Sequence, residues 1–225
     1  MRGRNPIRKP VEGSGDVLEV KEVFPTLQGE GPLAGMPSVF IRLGGCNLAC
    51  KFCDTAFEDF SPWSMSEIMS SVRKYARNDQ GASVRKLVVL TGGEPFRQPI
   101  ATLCDTLLEE GFTVQIETNG LLFRPLDARV QIVCSPKNIG KGYKPVRGDI
   151  LERCLALKFL ISASNKDYAY VPDVGQSLLS TPVYIQPMDE YDAEKNAANL
   201  ALTQELCARH GYRLSLQLHK MLGIP

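Results

Sequence analysis

The feature that most constrains the fold is a set of short, nearly continuous apolar runs ending in glycine or polar residues. KLVVLT (86–91) stops at Gly92-Gly93 and VQIVCS (130–135) stops at Pro136-Lys137. Strands apolar on both faces belong in a parallel sheet covered by other layers. TVQIET (113–118), ALKFLI (156–161) and VYIQ (183–186) have the same character. VLEVKEVF (17–24), with its apolar–polar alternation, SVFIRL (38–43) and RLSLQL (213–218) add further strands. Between them lie helix signals. Ser64 with Glu67 three residues on is a capping box and predicts a helix to Tyr75. Pro99 suits the first turn of a second helix that Gly111 closes, and Ala193–His210 forms a third, stopped by Gly211. Two further helical slots are short or missing. Strand–helix alternation with too few helices for an eightfold barrel predicts an α/β fold, an incomplete, open βα barrel of six to eight strands. Residues 137–150 read as a basic, Gly-rich loop; 56–64 and 162–182 carry no assignable pattern.

A chain of 225 residues suits one domain, placed here at 17–225. Hydrophobic residues at 44% and charged residues at 23% exclude a disordered or fibrous chain. A formal charge of +1 gives no global field for nucleic acid or an anionic membrane. No apolar run approaches the ~20 residues of a membrane span. Residues 1–16 lack an apolar signal core, and Pro6, Pro10, Gly13 and Gly15 break regular structure, so a loose tail and a cytoplasmic setting are expected. Thiols are then reduced. Seven cysteines cannot all pair, and Cys104, Cys134, Cys154 and Cys207 stand singly, as small core side chains do.

The polar clusters follow the strands, where ligands bind in βα folds. Cys46, Cys50 and Cys53 fall within eight residues on a Gly-flanked loop. Three thiolates so placed suit one soft metal centre. A zinc site wants a fourth ligand, for which Asp54 is poor. A cubane iron–sulfur cluster held by three cysteines leaves one iron open to an outside ligand, which suits catalysis.

The CxxxCxxC spacing, with Phe52 before the third cysteine, resembles the signature of radical S-adenosylmethionine enzymes. Thr91-Gly92-Gly93-Glu94-Pro95 resembles their GGEP motif. The resemblance implies the partial TIM-like barrel of that class and a [4Fe-4S] cluster on Cys46, Cys50 and Cys53. It also implies one-electron cleavage of S-adenosylmethionine to a 5′-deoxyadenosyl radical. Phe24-Pro-Thr-Leu-Gln-Gly-Glu-Gly31, Cys53-Asp54-Thr55, Glu117-Thr-Asn-Gly, Ser135-Pro-Lys137, Gln186-Pro-Met-Asp189 and the terminal His219-Lys-Met-Leu-Gly-Ile-Pro225 extend the likeness over about residues 20–225. In that order they resemble the 7-carboxy-7-deazaguanine synthases, which contract 6-carboxy-5,6,7,8-tetrahydropterin with loss of ammonia on the path to queuosine. Carried over residue by residue, Leu27, Gln28, Gly29, Arg42, Thr91, Glu117, His219 and the carboxylate of Pro225 hold substrate. Phe52, Cys53, Asp54, Gly93, Ser135, Lys137 and Gln186 hold S-adenosylmethionine. Thr55 ligates Mg²⁺. No general base is expected; the protein orients and contains the radical. The resemblance further implies a homodimer and an electron donor such as flavodoxin or ferredoxin. Two other readings share some of these signals: a glycyl-radical activating enzyme acting on a protein, and a non-catalytic zinc module.

Overall fold

The computed structural model describes residues 5–53, 55–140 and 142–225. Among them, nine strands form one sheet: β1 (Val17–Leu27), β2 (Pro37–Leu43), β3 (Ser61–Ser64), β4 (Leu87–Gly92), β5 (Thr113–Thr118), β6 (Gln131–Cys134), β7 (Cys154–Ile161), β8 (Val183–Pro187) and β9 (Arg213–Leu214). Their order is β3-β1-β2-β4-β5-β6-β7-β8-β9. From β2 to β9 all neighbours are parallel; β1 pairs antiparallel with β2 and with β3. The sheet is a partial βα barrel with two edges, as the strand runs imply. The ninth strand is β3, which lies in the stretch without a sequence pattern. Its four residues pair with Val17–Val20 on one side only, so they carry no two-sided apolar signature.

The helices are α1 (Met65–Tyr75), α2 (Ala101–Glu109), α3 (Gly148–Leu151), α4 (Gln176–Leu179), α5 (Ala193–His210) and α6 (Leu218–Leu222). The α1 capping box is complete: Glu67 N–H donates to the Ser64 hydroxyl and the Glu67 carboxylate accepts from Ser64 N–H. Ile68, Met69 and Val72 of α1 are buried in the core, and β4 contributes Leu87, Val88, Val89 and Leu90. α5 starts at Asp192, whose side chain accepts from Lys195 N–H, and ends at Gly211, where φ is +71°. The two short slots are α3 and α4, of four residues each.

Three expectations need correction. RLSLQL is a strand only at Arg213–Leu214. Ser215 N–H still reaches Ile185 O at 2.8 Å, but the next parallel ladder bond would need an N–H from Pro187, which has none. The chain then turns into α6, so His219 sits on a helix and not at a strand end. Pro99 lies just outside α2, because Ile100, fully buried, is the residue before the first helical turn. The third correction concerns the tail. Residues 5–16 are docked. Ile7 bridges Cys46, Arg8 N–H donates to Cys46 O at 2.7 Å, and Val11 N–H to Arg97 O at 2.7 Å. Arg8 pairs with Glu58 at 2.6 Å, and Thr102 Oγ1 donates to Ser14 O at 3.0 Å. Proline and glycine prevent an internal ladder, but they leave the extended backbone able to bond to a neighbour.

Candidate active site

The carboxyl ends of the parallel strands open on one cavity of about 610 Å³. The turn after β1 brings Leu27, Gln28, Gly29 and Glu30. The loop after β2 brings Cys46, Cys50, Phe52, Cys53 and Thr55, and β4 and the turn after it bring Thr91 and Gly93. Glu117 comes from β5 and Asn119 from the turn after it, Ser135 and Lys137 from beyond β6, and Gln186 and Asp189 from β8 and the turn after it. Arg42 of β2 and the C-terminal His219 and Pro225 complete the wall. Every site residue expected from sequence therefore lines this cavity, except Asp54, which lies outside the described residues.

The two motifs meet backbone to backbone. Gly93 N–H donates to Leu43 O at 2.9 Å and Glu94 N–H to Gly45 O at 3.0 Å. A Cβ on Gly93 would sit 1.7 Å from Gly45 O, so only glycine lets the end of β4 lie against the cysteine loop. A turn from Cys50 O to Cys53 N–H, 3.1 Å, sets the spacing of the second and third thiols. All three are free. Burial pushes the Cys46 thiol up to about 12, and the Glu94 carboxylate adds to this. Burial also raises Cys50, against the opposing charge of Lys137. Metal binding must supply the free energy to remove these protons. Among the described residues, no three Cys, His, Asp or Glu groups converge as ligands of a single ion would. Three free thiols on one loop, beside a glycine-opened strand end and a large cavity, fit a cluster with a corner left for a second ligand.

Glu94 is fully buried beneath this junction. Its carboxylate accepts from Thr118 Oγ1 at 2.7 Å, Asn119 N–H at 2.8 Å and Phe96 N–H at 3.1 Å. Burial outweighs these donors and brings its pKa up to about 7. Glu94 thus ties β4 to β5 directly under the cavity floor.

A second polar group crosses the opposite wall. Lys158, on β7 and 5% exposed, is ion-paired to Glu30 and lies 3.9 Å from Glu117. Burial alone would raise the Glu30 carboxyl, but the Lys158 charge and hydrogen bond pull it down to about 2. Gln28 Nε2 donates to Glu117 at 3.1 Å, and Gln217 Nε2 donates to Glu30 at 3.0 Å. The turn after β1, strand β7 and the C-terminal segment are thereby locked around Glu117.

Other expected residues have partners of their own. Arg42 Nε donates to Glu22 at 2.7 Å, and its guanidinium lies 5.3 Å from the Phe24 ring centre. Phe52 meets Tyr168 edge-on, with ring centres 5.3 Å apart. Lys137 Nζ donates to Ser135 Oγ at 2.7 Å, and Gln186 accepts from Ser215 Oγ at 3.0 Å. Thr26 Oγ1 donates to Pro225 O, which draws the last residue into the cavity. A Cβ on Gly29 would meet the His219 ring at 2.4 Å, so the glycine admits that imidazole. Sequence reasoning missed Glu30, Lys158, Gln217 and Asn5. A lone lysine inside ALKFLI was a usable signal for Lys158. Asn5, in a segment without pattern, gave none.

Fold and site together define a radical S-adenosylmethionine enzyme. The family model described as "Radical SAM superfamily" matches residues 40–134, from β2 to the end of β6. A 7-carboxy-7-deazaguanine synthase of Rickettsia prowazekii (strain Madrid E) is 51% identical over 225 residues, covering all of this chain and 96% of that protein. One from Rhodospirillum rubrum is 40% identical over 249 residues and the full length of both. Among solved structures, the crystal structure of QueE from Escherichia coli superimposes with a TM-score of 0.72 at 28% identity, covering 90% of this chain and 95% of that one. The chain belongs to the 7-carboxy-7-deazaguanine synthase family. A [4Fe-4S] cluster and S-adenosylmethionine come with that membership.

Proposed function

We propose that this chain converts 6-carboxy-5,6,7,8-tetrahydropterin to 7-carboxy-7-deazaguanine with loss of ammonia, a step toward queuosine and related 7-deazapurines. One observation carries the reading. A single cavity has the three thiols on one wall and a preset array of Gln28, Glu117, Arg42 and His219 on the others.

Cys46, Cys50 and Cys53 would hold the cluster. Phe52, Cys53, Asp54, Gly93, Ser135, Lys137 and Gln186 would hold S-adenosylmethionine. When bound, these two groups supply a hydrogen-abstracting carbon radical through one-electron cleavage of the sulfonium. The chain's own residues orient the substrate and shield that chemistry. Glu117 is held from behind by Gln28 and Lys158, and its remaining lone pairs accept N–H bonds from the guanidine-like edge of a pterin. The Arg42 fork meets the planar carboxylate. Leu27, Gly29 and Thr91 line the same wall, and His219 and the Pro225 carboxylate close it from the C-terminal side. Thr55 would give Mg²⁺ one protein oxygen, the remainder being substrate and water, in keeping with the ion's reluctance to dehydrate. The side chains act by positioning substrate and excluding water, while the bound groups would carry the hard chemistry. A flavodoxin or ferredoxin as electron donor, a homodimer and a cytoplasmic setting belong to the same proposal. No described helix is long and apolar enough to cross a membrane.

The test is anaerobic. The chain is reconstituted with iron and sulfide and given S-adenosylmethionine, Mg²⁺, reductant and 6-carboxytetrahydropterin, and products are read by mass spectrometry. The reading requires 7-carboxy-7-deazaguanine. If only 5′-deoxyadenosine forms, the class stands and the substrate is wrong.

A further inference from the structure

The N-terminal segment 5–12 runs directly over the cysteine loop. It is fastened at both ends of its course. Ile7 bridges Cys46 and Arg8 N–H donates to Cys46 O at 2.7 Å. Arg8 is held by Glu58 and lies 5.2 Å from the Phe60 ring centre. Lys9 O accepts from Arg97 at 3.2 Å, and Val11 O from Arg124 at 2.6 Å. This strap carries one side chain into the cavity wall, Asn5. Its Nδ2 donates to Cys53 Sγ at 3.5 Å and to Thr55 O at 3.1 Å. Both contacts are long-range in sequence, so no local turn requires them. Asn5 has the geometry of a group placed on a sulfur.

We propose that the strap is part of the cluster site, and that Asn5 is a positioning residue that tunes it through an N–H···S hydrogen bond to the Cys53 ligand. This rests on Cys53 being a cluster ligand. Such a bond draws electron density from the sulfur and favours the more negatively charged state, which is the reduced cluster. Asn5 therefore makes the cluster easier to reduce. Its second N–H fixes Thr55 O, so the same side chain sets the turn that presents Thr55.

The experiment uses the full chain, loaded anaerobically, without S-adenosylmethionine. Iron and sulfide are quantified, and the midpoint potential is read by electron paramagnetic resonance during a mediated redox titration. Asn5→Leu removes the donor and shifts the midpoint to more negative potential with iron and sulfide content unchanged. Asn5→Asp, which puts a carboxylate at the sulfur, shifts it further in the same direction. Equal midpoints for the parent and Asn5→Leu, both fully loaded, overturn the proposal while leaving the cluster assignment intact. If Asn5→Leu fails to load, Asn5→Gln, which keeps the amide, decides. Loading in Asn5→Gln alone supports the hydrogen bond; loss in both overturns it. A parent chain that takes up no iron and sulfide overturns the cluster assignment and this proposal together.

Discussion

The backbone N–H of Asn119 donates to Glu94 Oε2 at 2.8 Å, joining the residue after β5 to the glutamate after β4. Oε1 accepts from Thr118 Oγ1 and Phe96 N–H, so three donors meet one carboxylate. They favour the ionised form, yet burial wins and lifts the pKa to about 7. In the unfolded chain it returns to roughly 4.3. A raised folded pKa gives stability that is fully present below the unfolded value and is lost as pH rises through the folded one. At about 1.4 kcal/mol per unit, the loss between pH 4 and pH 8 is on the order of 3 kcal/mol. Denaturant unfolding of the chain without iron should show that decline. Glu94→Gln should flatten it while costing about 1 kcal/mol at pH 5, because one donor then faces an amide N–H. A Glu94→Gln curve parallel to the parent's would remove Glu94 as its source.

Lys158 and Glu30 make the opposite case. Lys158 is buried and Glu30 largely so, and the lysine depresses the Glu30 carboxyl to about 2. A depressed pKa gives stability that is present above the unfolded value and is lost as pH falls toward 2. Lys158→Ala leaves a largely buried carboxylate without its main partner and should cost about 3 kcal/mol. The double variant Lys158→Met with Glu30→Gln should recover more than half of that, since it removes the Glu30 charge and leaves only Glu117, still bonded to Gln28, without a nearby cation. Additive losses in a double-mutant cycle, read by thermal or urea unfolding, would show that the two residues act independently.

The strand cores were legible because burial on both faces prints an apolar run. β5 and α5 match their sequence bounds residue for residue. So did the membership of the cavity, because every ligand-bearing loop follows a strand that could be read. What escaped was set by partners distant in sequence. β3 forms because β1 offers an edge, and its own four residues have no period. β9 is cut short by Pro187 on its neighbour. Residues 5–12 are held by Cys46, Arg97 and Arg124, up to 113 positions away. Lys158 is accounted for by Glu30, 128 positions away, which pairs with it across the cavity wall.

Gly93 should be the least replaceable glycine at the site. A methyl there would lie 1.7 Å from Gly45 O, inside any tolerable contact with backbone. Gly93→Ala must push β4 away from the cysteine loop, with a cost of at least about 3 kcal/mol on the scale of severe overpacking. Gly148→Ala is the control. It begins α3 with no atom within 4 Å of the new methyl, and its effect should stay within about 0.5 kcal/mol. Iron and sulfide retention after gel filtration should fall sharply in the first variant only. Equal retention in both would mean that the junction tolerates displacement.

Arg42 separates a structural ion pair from a substrate contact. Its Nε bond to Glu22 joins side chains 21% and 45% exposed, a pair worth at most about 1 kcal/mol. The Nε bond leaves the planar end of the guanidinium beside the cavity, where Lys cannot reproduce a bidentate grip on a carboxylate. Arg42→Lys should therefore leave unfolding within about 1 kcal/mol of the parent. It should raise KM for the carboxylated pterin by roughly tenfold or more, the size of one lost charge-assisted hydrogen bond. Glu22→Gln breaks the ion pair but spares the fork, and its KM should move far less. A KM that responds equally to both changes would assign Arg42 to holding β1 against β2, with no direct grip on substrate.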